Sequence, residues 1–170
     1  MSENYREGII YDLIDILRLL VILLVRKINH QHILCFTAFL TFGVGDGITG
    51  ALMMNARGAG IEANPIMRYL FISQGFEGIV TGKVWFTLIL LFAVYITQLR
   101  SSTSIYWTVN GFLIALTAGG LMAMYANLAA MAGEVPASLE IIIIIYLFLT
   151  FVFVEIGSFV DRRNTTVIIE

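Results

Sequence analysis

Residues 33–54 read ILCFTAFLTFGVGDGITGALMM, 22 residues with one charge, Asp46, and no proline. As an α-helix rising 1.5 Å per residue, the stretch reaches about 33 Å, enough to cross the ~30 Å hydrocarbon core of a bilayer. A carboxylate at the centre of that core costs roughly 2.5–3.5 kcal/mol, so Asp46 must face a partner, water or a substrate and not lipid. The stretch therefore fixes a membrane-spanning helix and places a polar site inside it.

The rest of the 170-residue chain suits the same solvent. It is 59% hydrophobic and 13% charged, with a mean hydropathy of +0.89. Apolar windows predict spans near Gly8–Val25, Ile33–Met54, Glu77–Leu99, Ser104–Met131 and Leu139–Val160. The expectation is an all-α, polytopic helix bundle of about five transmembrane helices, with residues 1–170 as one domain and no linker or internal repeat. Asp12, Asp15 and Arg18 recur at three-residue spacing in the first window, so that segment either spans or lies in the interface as an amphipathic helix. Its mixed-charge start and the lack of a small-residue cleavage site argue against a cleaved signal peptide. Between the second and third windows, Asn55-Ala56-Arg57-Gly58-Ala59-Gly60 ends one helix. Pro65 suits the first turn of a short re-entrant or interfacial helix running to about Ile72.

A net charge of −2 without clustered Lys and Arg excludes a nucleic-acid partner. One cysteine, Cys35, excludes an internal disulfide and a Cys-based metal centre. The expected partner is the lipid bilayer, and the small bundle points to a homo-oligomer or a partner membrane subunit. Lys and Arg divide five to three, with Arg26, Lys27, Arg100, Arg162 and Arg163 on one side and Arg6, Arg57 and Arg68 on the other. The positive-inside rule then gives an inner-membrane protein whose C-terminal tail, Asp161 to Glu170, is cytoplasmic.

Depth collects the polar residues. Asp46 precedes the end of its window at Met54 by about 12 Å, and Lys83 comes about 9 Å after the start of its window at Glu77. Glu62, Asn64 and Pro65 occupy the outer loop that can fold down onto them, and Asp12 and Asp15 fall at similar depth if their segment spans. Thr49 and Thr81 are near enough in sequence to add hydroxyls, and Asn127 and Glu140 sit at the outer ends of later spans. Asp46, Thr49, Glu62, Asn64 and Lys83 are the candidate binding residues of one outward-facing chamber. Carboxylates and amide oxygens there fit a hard cation, a proton or a small solute, with Lys83 as an internal competing cation. The same groups also serve structure alone, as a neutralised ion pair and a capped helix start.

The pattern Asp46-x-x-Thr49, a Gly-bearing turn, Glu62-x-Asn64-Pro65-x-Met67, then Gly75-Phe76 and Lys83 resembles small bacterial and archaeal membrane proteins carrying the domain of unknown function 5658. The resemblance runs over roughly residues 40–95 and implies a shared membrane core with no assigned activity. Gly47-Ile48 stands where such proteins often carry a hydroxyl residue after the Asp.

A second resemblance is to intramembrane aspartyl proteases. Gly43-Val44-Gly45-Asp46 matches their Gly-x-Gly-Asp, Tyr11-Asp12 their Tyr-Asp, and Pro136-Ala137-Ser138-Leu139 approximates their Pro-Ala-Leu. It implies Asp12 and Asp46 as a catalytic dyad sharing one proton. The chain is much shorter than those enzymes, and Ser138 interrupts the third motif. The glycines also have a packing explanation, since Gly43-x-x-x-Gly47, Gly119-x-x-x-Ala123 and Ala126-x-x-x-Ala130 are small faces that let helices approach in lipid. His30 and His32, beside Arg26 and Lys27, read as headgroup contacts, and Glu155 as an ion-pair partner of Arg162 or Arg163. The favoured function is ion or small-solute handling or a membrane scaffold, with the aspartyl protease as the alternative.

Overall fold

The computed structural model describes Arg18 and residues 28–167, with side chains to Asn164. The chain divides into two compact units, Met1–Ile33 and Leu34–Glu170. In the first, Asn29 starts a helix, its Oδ1 accepting from the His32 amide at 3.0 Å. The window Gly8–Val25, with Asp12 and Asp15, lies outside the described residues.

Among the described residues the structure is helical, with no strand. Among these residues four helices are long and apolar enough to cross a membrane, one fewer than the about five expected from the sequence. These are α1, His30–Arg57; α2, Pro65–Arg100; α3, Tyr106–Ala132; and α4, Leu139–Val167. They match the last four windows read from the sequence, and their outward faces carry Trp85, Phe92, Leu99, Ile144, Phe148 and Phe151, as lipid requires.

Two of these helices are irregular where the site forms. In α1, regular α-helix over His30–Ala38 passes through a π-helical segment, Phe39–Gly45, before resuming at Asp46–Arg57. The sequence predicts an unbroken helix here. Widening the turn rotates the Asp46–Arg57 half about the helix axis, and Gly45 at its end packs against α3, where a Cβ would sit 2.5 Å from Met124 Sδ.

In α2, Gly75 has φ 66° and ψ −149°, a conformation that needs glycine. The Pro65–Gln74 part folds back on the Phe76–Arg100 part, placing the Leu70 carbonyl 2.8 Å from where a Gly78 Cβ would be and Leu70 Cδ1 2.6 Å from that of Gly82. Met67, Leu70 and Phe71 close over a core of Ala51, Met53, Met54, Ile79 and Ala130. The short helix expected after Pro65 therefore ends at Gly75, and the third predicted window is the remainder of α2.

Helices α3 and α4 pack along much of their length, because Gly111 and Gly157 admit the backbones of Phe153 and Trp107, and Gly119 admits the Tyr146 ring. Helix α1 lies between α2 and α3. Gly120 admits the α1 backbone, with Phe42 N 2.5 Å from where its Cβ would be. The C-terminal tail begins later than the sequence reading places it. Asp161 is 5% exposed inside α4, accepting hydrogen bonds from Trp107 N at 3.0 Å and Thr108 N at 2.8 Å. It caps the start of α3 from a neighbouring helix, a role that spacing along α4 alone does not reveal.

Candidate functional site

The site grows from Asp46, the first residue after the π-helical segment. Gly43, Gly47 and Gly50 carry α1 close to its neighbours: their missing side chains face Thr87, Lys83 with Val80, and Asn127 respectively. A Cβ on Gly47 would lie 3.3 Å from both Lys83 Cβ and Val80 Cα. That approach delivers the Lys83 ammonium to Asp46 Oδ2 as a hydrogen-bonded ion pair. Asn127 of α3 donates its Nδ2 to Asp46 Oδ1 at 3.0 Å and to Thr49 Oγ1 at 3.1 Å. The Thr49 hydroxyl in turn donates to the Gly45 carbonyl at 2.8 Å. Three helices are thus joined at one carboxylate that is 4% exposed.

This polar centre is not sealed. Asp46, Lys83 and Asn127 line a pocket of about 330 Å³ whose walls include Ala126 and Ala130, and whose mouth is formed by the Glu62–Asn64 and Pro136–Leu139 loops. Both members of the pair line the cavity, and the Lys83 side chain is the more accessible, 22% exposed against 5% for that of Asp46.

The loops are held by their own chemistry. Asn64 Oδ1 accepts from Ile66 N at 2.9 Å and Met67 N at 3.4 Å, a helix cap directly ahead of Pro65. Glu62 Oε1 accepts from Asn64 N at 2.8 Å, and the Arg68 guanidinium donates to the Glu62 carbonyl through both Nε and Nη2. Arg57, at the end of α1, donates to the Met131 carbonyl at 3.4 Å and so joins the same end of α3.

Of the residues singled out by sequence, Asp46, Glu62, Asn64 and Lys83 line one pocket, and Thr49 joins it through Asn127. Thr81 is exposed and Glu140 is not part of the lining. Sequence spacing puts Asn127 only at the outer end of its span, yet it holds Asp46 and Thr49 together. Its signal is an amide inside an apolar helix at matching depth. Asp12, the other half of the expected dyad, lies outside the described residues. Both oxygens of Asp46 are engaged, by Lys83 and Asn127, and Gly43 and Gly45 have packing duties, so the Gly-x-Gly-Asp resemblance gains no support. Among the described residues, no three His, Cys, Asp or Glu side chains gather as a metal-holding group.

The family model for the domain of unknown function (DUF5658) matches residues 37–133, more than half of the chain. The chain belongs to this family. The matched region carries the π-helical segment, the Asp46–Lys83–Asn127 centre and the Glu62–Pro65 turn, whereas α4 lies beyond it. No curated protein and no solved structure matches the chain. The four apolar helices among the described residues have the length and composition of a multi-pass membrane protein.

Proposed function

We propose that this DUF5658 protein binds a small polar solute in the pocket between α1, α2 and α3, with the Asp46–Lys83 pair as its recognition centre. The observation that carries this is the opening of a buried ion pair onto a cavity. An ion pair that served register alone gains nothing from a 330 Å³ space beside it. An ammonium has three donors, and Asp46 takes one. The charge of Asp46 is already neutralised by Lys83, so the two N–H donors that the ammonium keeps are the charged groups left to meet a solute, beside the remaining lone pairs of the carboxylate. A solute offering an acceptor oxygen, such as a carboxylate, carbonyl or hydroxyl, matches it better than a bare metal cation, which would have to displace Lys83. Because Arg100, Arg162 and Arg163 occupy the opposite end of the bundle, the positive-inside rule turns the pocket toward the outer leaflet.

The test is thermal unfolding of the purified protein in detergent against short carboxylic acids, amino acids, polyols, and sodium, potassium, magnesium and calcium salts. A ligand at 100 times its Kd stabilises by about 2.7 kcal/mol. The expected result is stabilisation by an acceptor-bearing solute that disappears in Lys83→Met. Stabilisation by none of these, or by cations alone and unchanged in Lys83→Met, refutes the reading.

A further inference from the structure

A second cavity lies at the other end of the bundle and shares no residue with the pocket. It is a groove of about 290 Å³ where α2 meets α3 and α4, lined by Ala93 and Thr97 of α2, Val109 and Phe112 of α3, and Val154 of α4 among others. Its lining is almost wholly apolar, since the Thr97 hydroxyl donates to the Ala93 carbonyl at 2.9 Å and that of Thr108 to Asp161 at 2.8 Å. Ala93, Thr97 and Arg100 have i, i+4, i+7 spacing, so Arg100 stands on the groove face about 10 Å from Ala93, at the polar end of the helix. The hydroxyl-rich turn Ser101-Ser102-Thr103-Ser104 comes next in the chain.

Arg100 differs from the other arginines that end these helices. Arg57 donates to the Met131 carbonyl and Arg68 to that of Glu62. Arg162 pairs with Glu155 at 3.8 Å and donates to Ser158, and Arg163 lies 5.0 Å over the Phe159 ring. Arg100 is exposed and has no hydrogen-bond or ion-pair partner among the described residues. An apolar slot with an unpaired cation about one turn beyond Thr97 on the same helix face is complementary to one amphiphile, an acyl chain joined to a phosphate.

We infer that this groove seats an anionic phospholipid, its acyl chain against Ala93, Val109, Phe112 and Val154 and its headgroup phosphate on Arg100. A basic residue at an anionic membrane surface contributes about 1 kcal/mol, close to a fivefold preference. The full chain, purified in mild detergent and mixed with phosphatidylglycerol or phosphatidylcholine, is assayed by native mass spectrometry for retained lipid. Phosphatidylglycerol should be kept about fivefold better than phosphatidylcholine. Arg100→Gln should bring that ratio near one, and Ala93→Trp or Thr97→Trp should cut retention of both lipids. All three positions are exposed, so the changes leave the core intact. Equal retention of the two lipids by the unaltered protein, a preference that survives Arg100→Gln, or retention indifferent to both tryptophans would overturn the inference. So would a dimer that the tryptophans convert to monomer, since the groove's occupant would then be a second copy.

Discussion

Asp46 and Lys83, 37 residues apart in sequence, meet as an ion pair because Gly47 leaves no side chain between α1 and the start of the Lys83 side chain. The pair is asymmetric, with a buried carboxylate and a lysine that reaches the pocket. Lys83→Met leaves Asp46 in an apolar interior without its counter-charge, and should lower unfolding stability in detergent by about 3 kcal/mol. Adding Asp46→Asn to that variant should recover more than half of the loss, as read from thermal unfolding of the single and double variants. Strict additivity of the two changes would contradict the pairing.

Helix approach in the bundle depends on glycines whose missing side chains leave room for neighbouring backbone. Gly120→Val must push the Thr41–Phe42 backbone off α3, since Phe42 N already lies 2.5 Å from where a Cβ would be. The expected cost is about 1–3 kcal/mol, with loss of the Asn127 bond to Asp46 as α1 shifts. Gly60→Ala, with nothing within 4 Å, serves as the control and should change stability little.

At the far end of the bundle, Asp161→Ala removes the cap on Trp107 and Thr108 and should destabilise by about 1–2 kcal/mol. Because the pocket lies at the opposite end, solute stabilisation measured as a shift in Tm should survive in this variant. If solute binding failed together with the cap, the two ends of the bundle would be coupled.

The turn ahead of α2 offers a local test. Asn64→Ala strips the acceptor from Ile66 N and Met67 N, and should cost about 1 kcal/mol. Gly75→Ala forces a Cβ onto φ 66° and should cost about 1–2 kcal/mol. Hydrogen exchange should show both losses concentrated in residues 59–74, leaving α3 and α4 protected.

Much of this is legible in the chain. Runs of some twenty apolar residues can only be bilayer spans, and the last four windows agree with α1 to α4 to within a few residues at most ends. Asn64 ahead of Pro65 announces a capped helix start through local chemistry. Asp46 and Lys83 stand out because a charge in hydrocarbon requires a partner, and equal depth makes each the other's candidate. The π-helical segment is not legible, because the run Phe39–Gly45 carries no residue pattern that sets it apart from an ordinary helical turn. Neither is the burial of Asp161, which along α4 looks like the first residue of a polar tail.

The sequence by itself determined the solvent and the need for a polar centre, since each stems from the cost of placing a given side chain or an unpaired backbone group in lipid. Only the tertiary structure decided which groups meet. Asn127 joining Asp46 to Thr49, the fold-back at Gly75 and the pocket beside Lys83 depend on how closely three helices approach. That distance is set by backbone filling the space of missing side chains across residues far apart in the chain, a relation that no local pattern encodes.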